Sequence, residues 1–122
     1  MESMEISKGK VDTNFWKGKK VFVTGHTGFK GSWLCLWLQN MGALVKGYSL
    51  NVNTKPALFI QANVGDDMQS EIGDIRNLEQ LTKSMVGFGP DILIHMAAQP
   101  LVRLSYQEPV DTYTTNVIGT VN

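Results

Sequence analysis

The segment Val21-Phe22-Val23-Thr24-Gly25-His26-Thr27-Gly28-Phe29-Lys30-Gly31 restricts this chain to a narrow set of folds. An apolar run stops at a glycine, two more glycines follow at three-residue spacing, and a helical pattern begins behind them. The pattern predicts a strand, a tight turn and a helix N-terminus. In that arrangement backbone N–H groups and the helix dipole hold a pyrophosphate. Gly25 lets the chain turn sharply off the strand, Gly28 lets the backbone come close to phosphate oxygens, and Gly31 removes a side chain where helix crosses sheet. Glycine triplets also occur in loops that bind nothing. Here the flanking strand and helix favour a dinucleotide over a bare turn.

The rest of the chain extends the same theme. Lys20 to Thr24 read as a first strand and Phe29 to Met41 as a helix. Trp33, Leu34, Trp37, Leu38 and Met41 recur at three- and four-residue steps, widened by Leu36, and are expected to form the helix's inner stripe. Gly42 is the expected cap, and Ala43 to Ser49 follow as a second strand, completing a right-handed βαβ unit. Leu50 to Gly65 read as a loop in which Ala57 to Ile60 form one helical turn. Met68 to Gly73 carry a short third strand. Asn77 caps a helix with Gln80 three residues on; Leu78, Leu81 and Met85 face inward, and Gly87, Gly89 and Pro90 end it. Asp91 to Met96 form an apolar fourth strand of the kind found in parallel sheets covered on both faces. A loop with Arg103, Ser105 and Tyr106 leads to a last helix starting near Pro109 and running through Tyr113, Val117 and Val121.

Composition excludes several classes. With 122 residues the chain suffices for one domain. Eleven basic residues balance eleven acidic ones and are scattered, which argues against a nucleic-acid partner. No apolar run reaches the roughly 18 residues of a membrane span, and the polar segment from Met1 to Thr13 lacks a signal peptide's apolar core. We expect residues 1–14 to be a flexible leader, residues 15–122 to be the folded domain, and the location to be cytoplasmic. The lone Cys35 reads as a small buried hydrophobe.

Around the turn, Thr27 offers a hydroxyl to a phosphate, and Lys30 reads equally as a phosphate partner or a solvent cation. His26 is expected to face solvent, with ribose or phosphate contact as the alternative. His95, in the fourth strand, is expected to be buried and hydrogen-bonded; no second ligand stands at metal spacing, so no metal site is expected. After the second strand, where an acidic residue binds the adenosine ribose in such folds, this chain has Asn51, with Lys55 close by. Asn51 can bond a ribose hydroxyl without repelling a phosphate, so NAD and NADP both remain open. Asp74 either accepts from the adenine amino group or caps the following helix.

Four stretches together resemble the extended short-chain dehydrogenase/reductase family, the NAD-dependent epimerases and dehydratases of nucleotide sugars. They are Thr24 to Gly31, Gly73-Asp74-Ile75-Arg76, His95-Met96-Ala97-Ala98-Gln99 and Thr115-Asn116-Val117-Ile118-Gly119-Thr120. The order and spacing fit from about Phe15 onward. Gly25 to Leu34 and Ala97 to Tyr106 are most similar to the branch that dehydrates CDP-glucose. The resemblance implies an α/β fold, a Rossmann-type three-layer parallel sheet that is incomplete here, with about four strands in the order 3-2-1-4. It implies a lyase that turns CDP-glucose into CDP-4-keto-6-deoxyglucose by internal hydride transfer through bound NAD. It further implies that Gly25, Thr27, Gly28, Phe29, Lys30 and Gly31 line the pyrophosphate, Asp74 and Ile75 flank adenine, and Ala97, Ala98 and Gln99 pass the nicotinamide ribose. Gln99, Arg103, Ser105 and Tyr106 would then face the substrate, and Asn116 would brace the last helix. A homodimer is implied for the complete enzyme.

The family's catalytic couple, a tyrosine with a lysine four residues later, has no counterpart. Val52, Val110 and Val117 stand four residues after Tyr48, Tyr106 and Tyr113. We therefore expect no catalytic residue in this chain, which reads as the first third of such an enzyme and inactive alone. The alternatives are part of a sugar-nucleotide epimerase, a non-catalytic NAD(P)-binding module, or a gene remnant.

Overall fold

The computed structural model describes residues 9–122. Most of the expected leader lies outside the described residues. Its end joins a short helix, α1 (Thr13–Trp16), whose N-cap Asp12 accepts from the Asn14 N–H at 2.9 Å. Four strands follow in one sheet: β1 (Lys20–Thr24), β2 (Leu44–Ser49), β3 (Gln69–Ile72) and β4 (Ile92–His95). All three pairings are parallel and the order is β3-β2-β1-β4, as the sequence predicts.

The sheet has two covered faces because β1 alternates. Val21 and Val23 point to one side, with Val45, and pack against Cys35 and Leu38 of α2 (Phe29–Asn40) and against Val64. Phe22 points to the other side, with Tyr48, and meets Leu81 and Phe88 of α4 (Leu78–Phe88) and Ile75 before it. The Phe22 and Tyr48 rings stack with centroids 6.2 Å apart. Between β2 and β3 lies one helical turn, α3 (Leu58–Gln61), where Ala57 to Ile60 predict it.

The inner stripe of α2 differs from expectation. Gly31, Ser32, Cys35 and Leu38 face the sheet, whereas Trp33 and Trp37 are half exposed. A glycine and a serine at the crossing bring the helix so close to β1 that the buried face rotates onto the small side chains. The tryptophans are left at the flank, and Trp33, Leu34, Leu36, Trp37 and Asn40 line a shallow apolar hollow of about 520 Å³.

Helix α4 begins as predicted: Asn77 Oδ1 accepts from the Gln80 N–H at 3.1 Å, and Gly89 ends the helix with φ at +64°. The segment expected to be a loop after Gln99-Pro100 is helical, α5 (Val102–Gln107). Pro109 then opens α6 (Pro109–Tyr113), which runs without a break through a π-helical turn, Thr114–Ile118, into α7 (Gly119–Val121). No helix among the described residues is long and apolar enough to cross a membrane, and no cluster of metal-ligating side chains is found among them.

Candidate functional site

The strand order reverses between β1 and β4, and open α/β sheets bind ligands at that point, beyond the carboxyl ends of the strands. The glycine turn sits there. Gly25 has φ at +82°, and a Cβ on it would lie 2.8 Å from the Ala97 nitrogen, so the turn and the end of β4 touch through backbone alone. A Cβ on Gly31 would overlap the Gly25 carbonyl oxygen and lie 3.0 Å from His26 Cα. Gly28 is different. It caps α2 in extended conformation with no side-chain cap, and a Cβ there would meet only the Gly25 oxygen, at 3.4 Å.

Hydrogen bonding leaves this helix end open. The Gly28 N–H donates to the Gly25 oxygen at 3.2 Å, and Ser32 N–H closes the first helical turn on Gly28 at 2.8 Å. The N–H groups of Phe29, Lys30 and Gly31 have no partner among the described residues. Three aligned donors at the positive end of a twelve-residue helix, facing space that only a missing side chain keeps clear, suit an anion such as a pyrophosphate.

The other residues of the turn serve the protein. The Thr27 hydroxyl donates to the Leu50 carbonyl at 2.8 Å and lies 2.9 Å from Ser49 Oγ, tying the turn to the end of β2. Phe29 and Lys30 are exposed. His26 does not face solvent as expected. It is fully buried, its Nε2 is 2.7 Å from Ser70 Oγ, and its ring meets the Phe59 ring edge-on at 5.4 Å. The space it fills exists because residue 47 is glycine: a Cβ there would overlap the imidazole. Burial pushes the imidazole down to about 4, and the Tyr48 backbone opposes that shift in part. A glycine on the neighbouring strand was the available clue, but pairing Gly47 with His26 requires the β1–β2 register.

At the β4 end, Thr24 organises the backbone. Its Oγ1 accepts from the N–H groups of Met96 at 3.0 Å and Ala97 at 3.2 Å, which uses both lone pairs. The hydroxyl hydrogen therefore goes to His95 Nδ1, 2.6 Å away, and His95 Nε2 carries the hydrogen donated to Thr120 Oγ1 at 3.0 Å. His95 is hydrogen-bonded as expected, but exposed rather than buried, because β4 is an edge strand in this chain. Asn116, in the π-helical turn, accepts from the Gln99 N–H at 2.7 Å and donates to the Gln99 carbonyl at 3.1 Å, which is the expected brace.

Towards β3, Asp74 forms a two-oxygen ion pair with Arg76, closest at 2.7 Å, which holds its carboxyl below the usual carboxylate range. The Tyr48 hydroxyl donates to the Asp74 carbonyl at 3.0 Å, and Ile75 is buried. Asn51 is exposed, and its side chain accepts from the Val52 N–H at 2.9 Å.

The family model for GDP-mannose 4,6 dehydratase matches residues 22–122. The chain belongs to that family. It is 62% identical over 112 residues to a CDP-glucose 4,6-dehydratase of Salmonella typhimurium, covering 92% of this chain and 31% of that protein. A UDP-glucose 4-epimerase of Rhizobium leguminosarum bv. trifolii is 34% identical over 109 residues, covering 85% of this chain and 30% of the relative. Among solved structures, a Stenotrophomonas maltophila UDP-glucose-4-epimerase with bound NAD and formylated UDP-arabinopyranose superposes with a TM-score of 0.74 at 25% identity, covering 84% of this chain and 31% of that one. The Brucella ovis UDP-glucose 4-epimerase in complex with NAD gives 0.72 at 27% identity, covering 85% and 30%. The chain thus spans about a third of the length of these relatives.

Residues 25–31, 74–76 and 96–99 all follow strands at the carboxyl edge of the parallel sheet. The expected substrate-side residues are less converged. Gln99 turns onto the last helical run, donating to Thr112 Oγ1 at 3.0 Å and to the Leu101 carbonyl at 3.2 Å. The Ser105 hydroxyl bonds the Val102 carbonyl within α5, and Arg103 and Tyr106 are exposed.

Proposed function

We propose that this chain is the NAD-binding N-terminal part of a nucleotide-sugar 4,6-dehydratase whose substrate is CDP-glucose. One observation carries the reading: the open N-terminus of α2, with three unpartnered N–H groups and a side-chain-free approach at Gly28, lies at the sheet's switch point. The 62% identity to a CDP-glucose 4,6-dehydratase supports the choice of substrate, and the NAD-bound structural relatives support NAD over NADP.

The residues fit the cofactor. Backbone N–H groups of Phe29, Lys30 and Gly31 would hold the pyrophosphate, Gly25 and Gly28 would let it approach, and Lys30 would lie beside it in solvent. Thr27 would act by fixing the turn to β2. Asn51 would sit near the adenosine ribose, Asp74 and Ile75 at adenine, and Ala97, Ala98 and Gln99 along the nicotinamide ribose. When bound, NAD supplies reversible hydride acceptance, so a sugar can be oxidised, dehydrated and reduced again without net redox change. What these residues contribute is binding, orientation and a rigid floor. Arg103, Ser105 and Tyr106 are assigned to the sugar side, with Gln99 between the two. In this reading the working protein is a cytoplasmic homodimer and residues 15–122 belong to its dinucleotide domain.

Two measurements on the purified chain test this reading. Calorimetric titration with NAD and NADP should show NAD binding; no binding of either would overturn the assignment. Incubation with CDP-glucose and NAD should yield no 4-keto sugar, and turnover above background would show that the tyrosine–lysine couple is dispensable.

A further inference from the structure

His95 has no role in the binding scheme above, yet it joins three elements at the carboxyl edge of the sheet. From the end of β4, its Nδ1 is 2.6 Å from Thr24 Oγ1 on β1 and its Nε2 is 3.0 Å from Thr120 Oγ1 in α7. Both ends demand the same proton arrangement. Thr24 Oγ1 already accepts two backbone N–H groups, so it can only donate to His95. The Thr120 hydroxyl donates to the Asn116 carbonyl at 2.6 Å, so towards His95 it can only accept. The helix comes this close because residue 119 is glycine: a Cβ there would overlap the Ile75 side chain. The Ala97 N–H has Thr24 Oγ1, at 3.2 Å, as its one partner among the described residues. That same nitrogen lies only 2.8 Å from where a Cβ on Gly25 would stand. Asn116, one turn before Thr120, grips both backbone groups of Gln99. The last helical run thus holds the segment 95–99 at both ends, directly at Gln99 and through His95 and Thr24 at Ala97.

We propose that His95 is a positioning residue for the nicotinamide side of the crevice: by directing the Thr24 hydroxyl and tying it to Thr120, it keeps the Ala97 backbone seated against Gly25 and so fixes the wall along which that half of the coenzyme lies. The assignment rests on the reading of this crevice as a dinucleotide site. The open N-terminus of α2 lies on the other side of the Gly25 turn and makes no bond to this chain of groups. Loss of the tie therefore loosens one half of the crevice and spares the other.

The test titrates NAD and ADP by calorimetry into the full chain and into His95→Leu and His95→Asn, with amide exchange at Ala97 read on the ligand-free proteins. ADP lacks the nicotinamide riboside and probes the other half alone. His95→Leu should weaken NAD about fivefold, the scale of one net hydrogen bond, and leave ADP within about twofold. Exchange at Ala97 should speed up about tenfold as the local opening becomes easier. In His95→Asn the amide oxygen stands in for Nδ1 and Thr24 keeps its acceptor, so NAD affinity and exchange should return to within about twofold of wild type. If His95→Leu does not fold, as a thermal melt would show, Thr120→Val cuts the far end of the tie and should give the same split. Equal weakening of NAD and ADP, or of neither, overturns the role of His95 and leaves the dinucleotide site standing. Failure of asparagine to restore what leucine removes overturns the route through Thr24 and the proposal with it. Absence of binding of both compounds to wild type overturns the dinucleotide reading on which the proposal rests.

Discussion

Replacing Gly28 by alanine should separate ligand binding from folding. Gly28 has φ −75° and ψ 168°, a conformation open to any residue, and the added methyl would meet only the Gly25 oxygen at ordinary contact distance, 3.4 Å. Alanine is a poorer N-cap than glycine by about 0.5–1 kcal/mol, and the stiffer unfolded chain returns a similar amount. The net change in stability should stay within about 1 kcal/mol. The methyl would, however, stand in front of the free N–H groups of Phe29, Lys30 and Gly31, so NAD affinity should fall at least tenfold, about 1.4 kcal/mol. Gly31→Ala supplies the contrast. Its methyl would overlap the Gly25 carbonyl and crowd two further backbone atoms, Gly25 C at 2.9 Å and His26 Cα at 3.0 Å. Backbone cannot yield as a side chain can, so the helix must lift from the strand at a cost of about 1–3 kcal/mol or more. Urea denaturation and calorimetric titration of both variants check the pair. If Gly28→Ala bound NAD as tightly as wild type, the open helix end would not be where the phosphates lie.

Other outcomes follow from the same geometry. The buried His26 stays neutral in the folded chain down to about pH 4, whereas the unfolded chain takes up its proton near pH 6.5. Its contribution is therefore fully present above pH 6.5 and is lost as pH falls towards 4, up to about 3 kcal/mol in total. Urea midpoints across that range should show the slope, and His26→Gln should flatten it; an unchanged slope would assign it to other groups. Gly47→Ala would drive a methyl into the imidazole and should lower stability by about 1–3 kcal/mol, read as a reduced thermal midpoint, with partial recovery expected in the double variant with His26→Ala. Asn116→Ala removes both bonds to the Gln99 backbone and should cost about 1–3 kcal/mol, with faster amide exchange at Gln99.

The fold was legible because its signals are local. The glycine turn, the Asn77 cap, the Pro109 start and the apolar fourth strand each announce an element within a few residues, and parallel crossover rules then order the sheet. Trp33 and Trp37 misled because periodicity reports which side chains share a face, not how closely the helix approaches. Gly31 and Ser32 let α2 sink onto β1 and turn that stripe aside. His26 misled for a related reason: its burial depends on Gly47 and Ser70, which are distant in sequence and meet it only through strand register. Thr27, Gln99 and Ser105 read as ligand contacts by position, yet in the structure their polar groups bond the protein's own backbone and side chains. Arg103 to Tyr106 read as loop because the short helix Val102–Gln107 buries no residue and so leaves no apolar stripe in the sequence.

The most direct test of the account follows the backbone amide resonances of the chain as NAD is added. The largest changes should fall at Phe29, Lys30 and Gly31, with smaller ones near Asp74 and Ala97. Saturable binding that left those three amides unmoved, and shifted residues elsewhere, would contradict it.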